Sequence, residues 1–304
     1  MEIGLHLPSA QPGASVDGIL HVARRCEEQG FDTAWFFDHL FTPADIDSKY
    51  PYSREGDYPM SPDDPFFDPV GLFGVLAGKT ERIKLGTCVM VGSYRNPIVL
   101  GKALATIENF APGRVILGLG AGWMQEEFEA TGVDFKRRAA IADEYVEALR
   151  AVWSGRSSFE GRFYSWPDVG FLPAPATRIP ILIGGHGDRA LQRAAKADGW
   201  AAVTGRGQGS GIDALAARIE VLERFLDKEE RSLDGFDIVY TSALWFSDHP
   251  NEKLPLTGPP EHIASSISRL GELGVTMIDL AVFGPADVIA ETATRFAEEV
   301  RPLL

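Results

Sequence analysis

The sequence predicts an α/β protein: a single-domain (β/α)8 barrel of the TIM type over residues 1–304, with loop insertions at its carboxyl-end face. Three observations predict it. Eight short apolar runs alternate with eight helical stretches. The runs are continuously apolar, as parallel strands buried on both faces should be, whereas half-exposed antiparallel strands would alternate. No Gly/Ser or Pro linker divides the chain, and eight β-α units in 304 residues is the size of a closed barrel. The rival, a doubly wound open sheet, would need fewer units or a domain break.

Each element has its own signal. Residues 2–7 form a short apolar strand stopped by Pro8. Asp17 caps the next helix, whose buried stripe is Ile19, Val22 and Cys26, and Gly30 ends it. Residues 33–37 form a second strand, dense in β-branched and aromatic side chains. Asp38 and His39 follow, then a polar, proline-rich loop to Pro65. A helix over 68–79, a strand over 83–91 and a helix over 96–110 come next, closed by Ala111-Pro112-Gly113. The fourth strand is 115–119. The helix over 136–153 carries Ile141, Tyr145, Leu149 and Val152 on one face. Residues 159–166 read as a small hairpin, and 181–184 as the fifth strand. A helix over 188–197 and a strand over 200–203 follow. Ile212, Leu215, Ile219, Leu222 and Leu226 mark the next helix. Strands over 238–246 and 277–282, and helices over 262–273 and 286–300, complete the set.

The totals exclude several functions. A net charge of -14 and a pI near 4.9 argue against nucleic acid, which wants clustered Lys and Arg. No apolar run approaches the roughly 18 residues of a membrane helix, and the N-terminus reads as a strand, not a signal peptide. Cys26 and Cys88 form no C-x-x-C pair, which suggests a reducing, cytoplasmic setting and no zinc site of the common spacing. The six histidines show no metal spacing.

In such a barrel, function gathers at the carboxyl ends of the strands. The fourth strand ends in Gly118, Gly120, Ala121 and Gly122, followed by Trp123. Alternate glycines let a backbone pass close to a flat or anionic group, although a tight strand-to-helix turn would use them too. A dinucleotide fingerprint fits worse, because Trp123 stands where a third glycine would be. The same strand-then-glycine event recurs at Gly184, Gly185, His186 and Gly187, before a helix near Asp188. Free backbone N–H groups there suit a phosphate, if the turn binds anything. Thr204 ends the sixth strand. His39, at a strand end beside a long loop, is the candidate catalytic residue, with Asp38 to orient it or to cap the loop. His6 ends the first strand and is a candidate for lining the site, with Trp123, Tyr50 and Tyr52. No nucleophile elbow or strand-end Lys is visible. Few polar groups among many glycines and aromatics suit a flat redox cofactor that carries the hard chemistry itself.

These residues resemble the luciferase-like monooxygenase family (the bacterial luciferase superfamily), most closely its coenzyme F420-dependent branch. The resemblance runs over nearly the whole chain. It includes Glu28-x-Gly30-Phe31-Asp32-x-x-Trp35 before Asp38-His39, Arg95-Asn96-Pro97, and Gly118-x-Gly120-x-Gly122-Trp123. Further on come Tyr145-x-x-Ala148-Leu149, Phe159-x-Gly161-x-Phe163, Ile183-Gly184-Gly185 and Asp198-Gly199-Trp200. The resemblance implies a flavin or deazaflavin held at the carboxyl-end face, usually in a homodimer. It implies that His39 lies beside the reactive ring, and that Cys88-Val89 forms a non-prolyl cis peptide bulging behind it. It also implies that Gly184 and Gly185 approach the cofactor phosphate. The sugar-phosphate dehydrogenases of the branch carry a Glu where this chain has Trp123 and a Trp where it has Pro43, so sugar oxidation is not implied. Glu126 and Glu127 are expected to be solvated on a helix.

The reading is therefore an F420-dependent oxidoreductase passing hydride between the deazaflavin and a small organic substrate. The loop 42–65, with Tyr50, Tyr52 and Tyr58, would be its lid or pocket wall. The alternative is an FMN-dependent monooxygenase fed by a separate reductase. A third class is a barrel that binds cofactor without turnover.

Overall fold

In a computed structural model, which describes residues 1–203 and 211–304, all eight predicted barrel strands are present. They are β1 (Glu2–His6), β2 (Thr33–Phe36), β3 (Lys84–Thr87), β4 (Val115–Gly120), β5 (Ile181–Gly184), β6 (Gly199–Val203), β7 (Asp237–Ala243) and β8 (Met277–Ala281). Each pairs in parallel with its neighbours, and β1 also pairs with β8. The pairing of β3 with β4, Leu85 opposite Val115, closes the ring. The chain is thus a closed (β/α)8 barrel.

Side chains fill that barrel. The Trp35 indole lies across the interior and is fully buried. A Cβ on Gly4 or Gly86 would run into its ring, so two neighbouring strands give up side chains to admit one large one. Ile116, Leu182, Ala201, Val239 and Met277 pack with Trp35. The alternate positions, such as Leu5, Phe36, Leu117 and Ile183, face outward into the layer shared with the helices. Burying one such side chain contributes about 1.5–3 kcal/mol.

The helices are α1 (Val16–Glu28), α2 (Pro69–Lys79), α3 (Pro97–Phe110), α4 (Gln125–Thr131), α5 (Arg138–Trp153), α6 (Asp188–Ala194), α7 (Ile212–Lys228), α8 (Pro260–Glu272) and α9 (Ala286–Arg295). Ser15, not Asp17, caps α1: its Oγ accepts from the Gly18 N–H at 3.2 Å. Asp17 sits in the first turn, where its charge favours the helix dipole. Gly30 has φ +75, the left-handed conformation expected just past a helix end. The sequence places Glu126 and Glu127 on a helix but does not bound it, because the seven residues of α4 are too few to show a periodic stripe. The hairpin spans Arg156–Glu160 and Ser165–Gly170, longer than expected, with Phe159 stacked on Trp166 at 4.8 Å. Among the described residues, no helix is long and apolar enough to cross a membrane.

The predicted third strand, 83–91, is interrupted. β3 stops at Thr87, the Cys88–Val89 peptide is cis, and pairing resumes where Met90 meets Leu119 of β4. This break thrusts Val89 toward the barrel mouth, where the functional candidates converge.

Candidate active site at the mouth of the barrel

His39 stands just beyond β2 and is nearly buried, at 11% exposure. Its Nδ1 lies 2.7 Å from Glu127 Oε2. That carboxylate is fully buried, and it also accepts from the Leu40 N–H at 2.5 Å and the Tyr94 hydroxyl at 2.9 Å. The expectation that Glu127 is solvated is therefore wrong. The signal was its place: α4 begins right after the glycine turn, so its first turn points its side chains at the mouth. Burial, then the Glu127 charge, pushes the Tyr94 phenol well above its ordinary range, so Tyr94 stays a donor. The Tyr94 O–H and the Leu40 N–H donate to the Glu127 carboxylate, and Nδ1 of His39 joins them as a donor to that acceptor. In the neutral ring this leaves Nε2 as the acceptor nitrogen.

Asp38 does not orient His39. Its oxygens accept two hydrogen bonds from Arg95, at 2.8 and 3.0 Å, and one from the Val91 N–H at 2.9 Å. Arg95 continues to Asp68, which caps α2. Asp38 thus ties the end of β2 to the chain beyond the cis peptide, and it is itself buried.

The glycines after β4 and β5 have a different use from the one their spacing suggested. A Cβ on Gly120 or Gly184 would collide with Val89, and one on Gly118 with the Thr87 carbonyl oxygen. Gly122, at φ +79, makes room for Phe128 and Val91. They clear space for the protein's own bulge, with Ala121 between them. Val89 rests in this cradle and packs with Cys88 and Tyr52 onto the inner cluster.

The loop 42–65 lies over the same region. Tyr50 contacts Trp123, Tyr58 and Tyr52 at ring distances of 5.1–5.4 Å. Tyr58 contacts Trp123 at 5.2 Å, and His39 lies 5.3 Å from Tyr58 and 5.6 Å from Trp123. Glu126 holds the loop in place: it accepts from Asp47 N at 2.8 Å, Ser48 N at 3.1 Å and Ser48 Oγ at 2.8 Å. Ser48 Oγ in return accepts from Gln125 N, the first residue of α4. Neighbouring carboxylates of α4 thus grip the histidine and the loop, so Glu126 also departs from the solvated expectation.

Deeper in, His6 Nδ1 meets Asp279 Oδ2 at 3.0 Å, and the His6 ring packs 3.7 Å from Phe37. Thr241 Oγ1 donates to the same carboxylate oxygen at 3.1 Å and contacts Cys88 Sγ at 3.1 Å. Burial, then the Asp279 charge, pushes the Cys88 thiol far up, so Cys88 stays protonated and is no nucleophile.

At the β5 end, Gly185 has φ +116 and its carbonyl accepts from the Trp200 indole at 2.8 Å. His186 Nε2 lies 2.5 Å from the Val203 carbonyl, so Nε2 carries the proton. Burial lowers the His186 pKa and keeps the ring neutral. Among the described residues its Nδ1 is then a buried acceptor without a partner. Thr204 lies outside the described residues.

The luciferase-like monooxygenase family model matches residues 1–254. An uncharacterized Mycobacterium tuberculosis protein is 34% identical over 224 residues, covering 71% of this chain and 77% of its own length. An F420-dependent glucose-6-phosphate dehydrogenase of Nocardia farcinica is 27% identical over 322 residues, covering 100% of this chain and 89% of its own. Among solved structures, an F420-dependent secondary alcohol dehydrogenase with an F420-acetone adduct superposes with TM-score 0.78 at 16% identity, covering 100% and 99% of the two chains. The oxygenating component of a Pseudomonas putida 3,6-diketocamphane monooxygenase, bound to FMN, does so with TM-score 0.73 at 15% identity, covering 99% and 98%. At these identities the superpositions speak for the fold.

Proposed function

This chain belongs to the luciferase-like monooxygenase family, and on that premise we propose that it is an F420-dependent oxidoreductase acting on a small organic substrate. The observation that carries the reading is the Tyr94–Glu127–His39 arrangement at the mouth, beside the Val89 bulge. When bound, coenzyme F420 supplies a deazaflavin ring whose C5 gives or takes a hydride.

The residues present fit such a ring. Val89, raised on glycines whose side chains are missing, offers a flat aliphatic rest. His186 Nδ1, a neutral buried acceptor, suits a hydroxyl of the cofactor's chain better than its phosphate. The turn at Gly184 and Gly185 presents backbone to the rest of that chain. The protein's own chemistry is then limited and specific. Glu127 fixes the tautomer of His39. His39 Nε2 holds or moves the proton of the substrate oxygen or nitrogen as hydride comes or goes. The aromatic loop excludes water from the transfer.

The test is a side-by-side titration of the full chain with F420 and with FMN, read by tryptophan fluorescence, since Trp123 lies 5.6 Å from His39. Micromolar quenching by F420 and none by FMN is expected. The reverse result would make the protein an FMN-dependent oxygenase served by a separate reductase. Binding of neither would overturn both readings.

A further inference from the structure

The aromatic loop says what kind of substrate the mouth accepts. We propose that it selects flat, uncharged organic molecules carrying a carbonyl or hydroxyl, and rejects anions such as sugar phosphates. The inference rests on the reading of the mouth as a site of hydride transfer, and it adds the substrate class.

Three observations carry it. The first is the wall itself. Tyr50, Tyr52, Tyr58 and Trp123 form a continuous ring-on-ring surface beside His39. A flat apolar guest replaces such contacts at little cost, because every aromatic face offers it the same stacking surface.

The second is polar. Among the described residues the hydroxyls of Tyr50, Tyr52 and Tyr58 have no protein partner, yet none is sealed away from solvent. Burial pushes the Tyr50 phenol up to about 12 and the other two further, so all three keep their protons. They are neutral donors, matched to a carbonyl or hydroxyl oxygen.

The third is charge. An anionic substrate needs an unspent cation. Among the described residues outside the loop, the arginines near the mouth are already engaged: Arg95 with Asp38 and Asp68, Arg138 with the carbonyls of Gly122 and Phe135, and Arg193 with Asp143. The loop 42–65 itself carries six carboxylates (Asp45, Asp47, Glu55, Asp57, Asp63, Asp64) against Lys49 and Arg54. Its field opposes the approach of an anion.

The experiment measures binding of three probes to the full chain, with and without F420, by saturation-transfer NMR. Acetophenone stands for the flat neutral carbonyl, 4-acetylbenzoate is its anionic counterpart, and glucose 6-phosphate is the sugar phosphate. Acetophenone is expected to bind at least tenfold more tightly than 4-acetylbenzoate, and glucose 6-phosphate not at all. The double variant Tyr52→Phe, Tyr58→Phe keeps the rings and the fold. It should weaken acetophenone at least threefold and leave ethylbenzene, which lacks the carbonyl, unchanged. An anion binding as tightly as acetophenone, no binding of acetophenone, or equal loss of both neutral probes would overturn the proposal. Failure of F420 to bind while acetophenone binds as expected would overturn the cofactor reading alone.

Discussion

Two histidine–carboxylate pairs, one at the mouth and one deeper in the barrel, are built from the same parts. His39 meets Glu127 at 2.7 Å, with the Tyr94 hydroxyl on the same carboxylate oxygen. His6 meets Asp279 at 3.0 Å, with the Thr241 hydroxyl likewise on the same oxygen. The difference lies in what holds them. His6, Thr241 and Asp279 belong to β1, β7 and β8, and their positions are fixed by the barrel ladder. His39, Tyr94 and Glu127 come from segments beyond the strands. His39 faces the aromatic loop, whereas His6 packs against Phe37 and, among the described residues, its buried Nε2 has no partner. The strand-borne pair is placed to hold the barrel; the loop-borne pair is placed to meet a ligand.

The largest expected effect tests the loop-borne pair. His39→Ala should lower turnover at least tenfold, and by about 10²–10⁴-fold if Nε2 moves a proton. F420 binding should survive, since the rest for the ring is Val89 and not His39. Steady-state kinetics with a cofactor titration read both quantities, and unchanged turnover would remove His39 from the mechanism. Glu127→Gln keeps the shape but can donate as well as accept, so it loosens the tautomer. It should lower kcat more than it changes KM and shift the pH profile of kcat. A uniform loss without a pH shift would reduce Glu127 to a packing role.

The strand-borne pair should respond in the opposite sense. Asp279→Ala removes an acceptor shared by His6 Nδ1 and Thr241 Oγ1 inside the barrel. The buried His6 donor that loses this acceptor costs about 1–3 kcal/mol, read as a lower midpoint in urea. Turnover per folded molecule should fall far less than in His39→Ala. A larger kinetic than thermodynamic effect would reverse the assignment of the two pairs.

What the sequence reveals divides along the same line. The strands were legible because continuous β-branched and aliphatic runs at regular spacing have few other uses. His6 and His39 were legible because strand ends in a barrel point to the mouth. Glu127 was not. In the seven residues of α4, hydrophobic spacing cannot separate a buried carboxylate from a solvated one, and its partners, His39 and Tyr94, lie 88 and 33 residues away. The alternate glycines were seen, but their reason was not. Only the folded chain shows Val89 filling the space they leave.

Glu126 offers a smaller, separable effect. Burial pushes its carboxyl up, but its own N–H and the bonds from Ser48 and Asp47 outweigh this and hold it below its ordinary range. Glu126→Gln should weaken the hold on the loop while leaving His39 in place. Trypsin cleavage at Lys49 or Arg54 should speed up by about 2–5-fold, the effect of losing about 0.5–1 kcal/mol of local stability. KM should rise with kcat nearly unchanged. Equal cleavage rates would mean that ring packing alone holds the loop.

A third histidine sharpens the comparison, because among the described residues it meets no carboxylate. Among the described residues His186 bonds to the Val203 carbonyl alone, and burial depresses its folded pKa below the ordinary 6.5. Above pH 6.5 the ring is neutral in both the folded and the unfolded chain, and it contributes no pH dependence. As the pH falls below 6.5 the unfolded chain takes up a proton that the folded chain refuses, so stability must fall with pH. One proton limits this slope to about 1.4 kcal/mol per pH unit. Partial exposure of the ring makes the real slope smaller. Urea unfolding of the wild type and of His186→Gln at pH 7 and pH 5 isolates it, since every other group titrates in both proteins. The variant should lose less stability over that interval. If it loses as much, His186 takes up its proton in the folded chain as it does in the unfolded one, and below its ordinary 6.5 it becomes a cationic group at the β5 turn, able to hold the phosphate that the neutral ring is ill suited to hold.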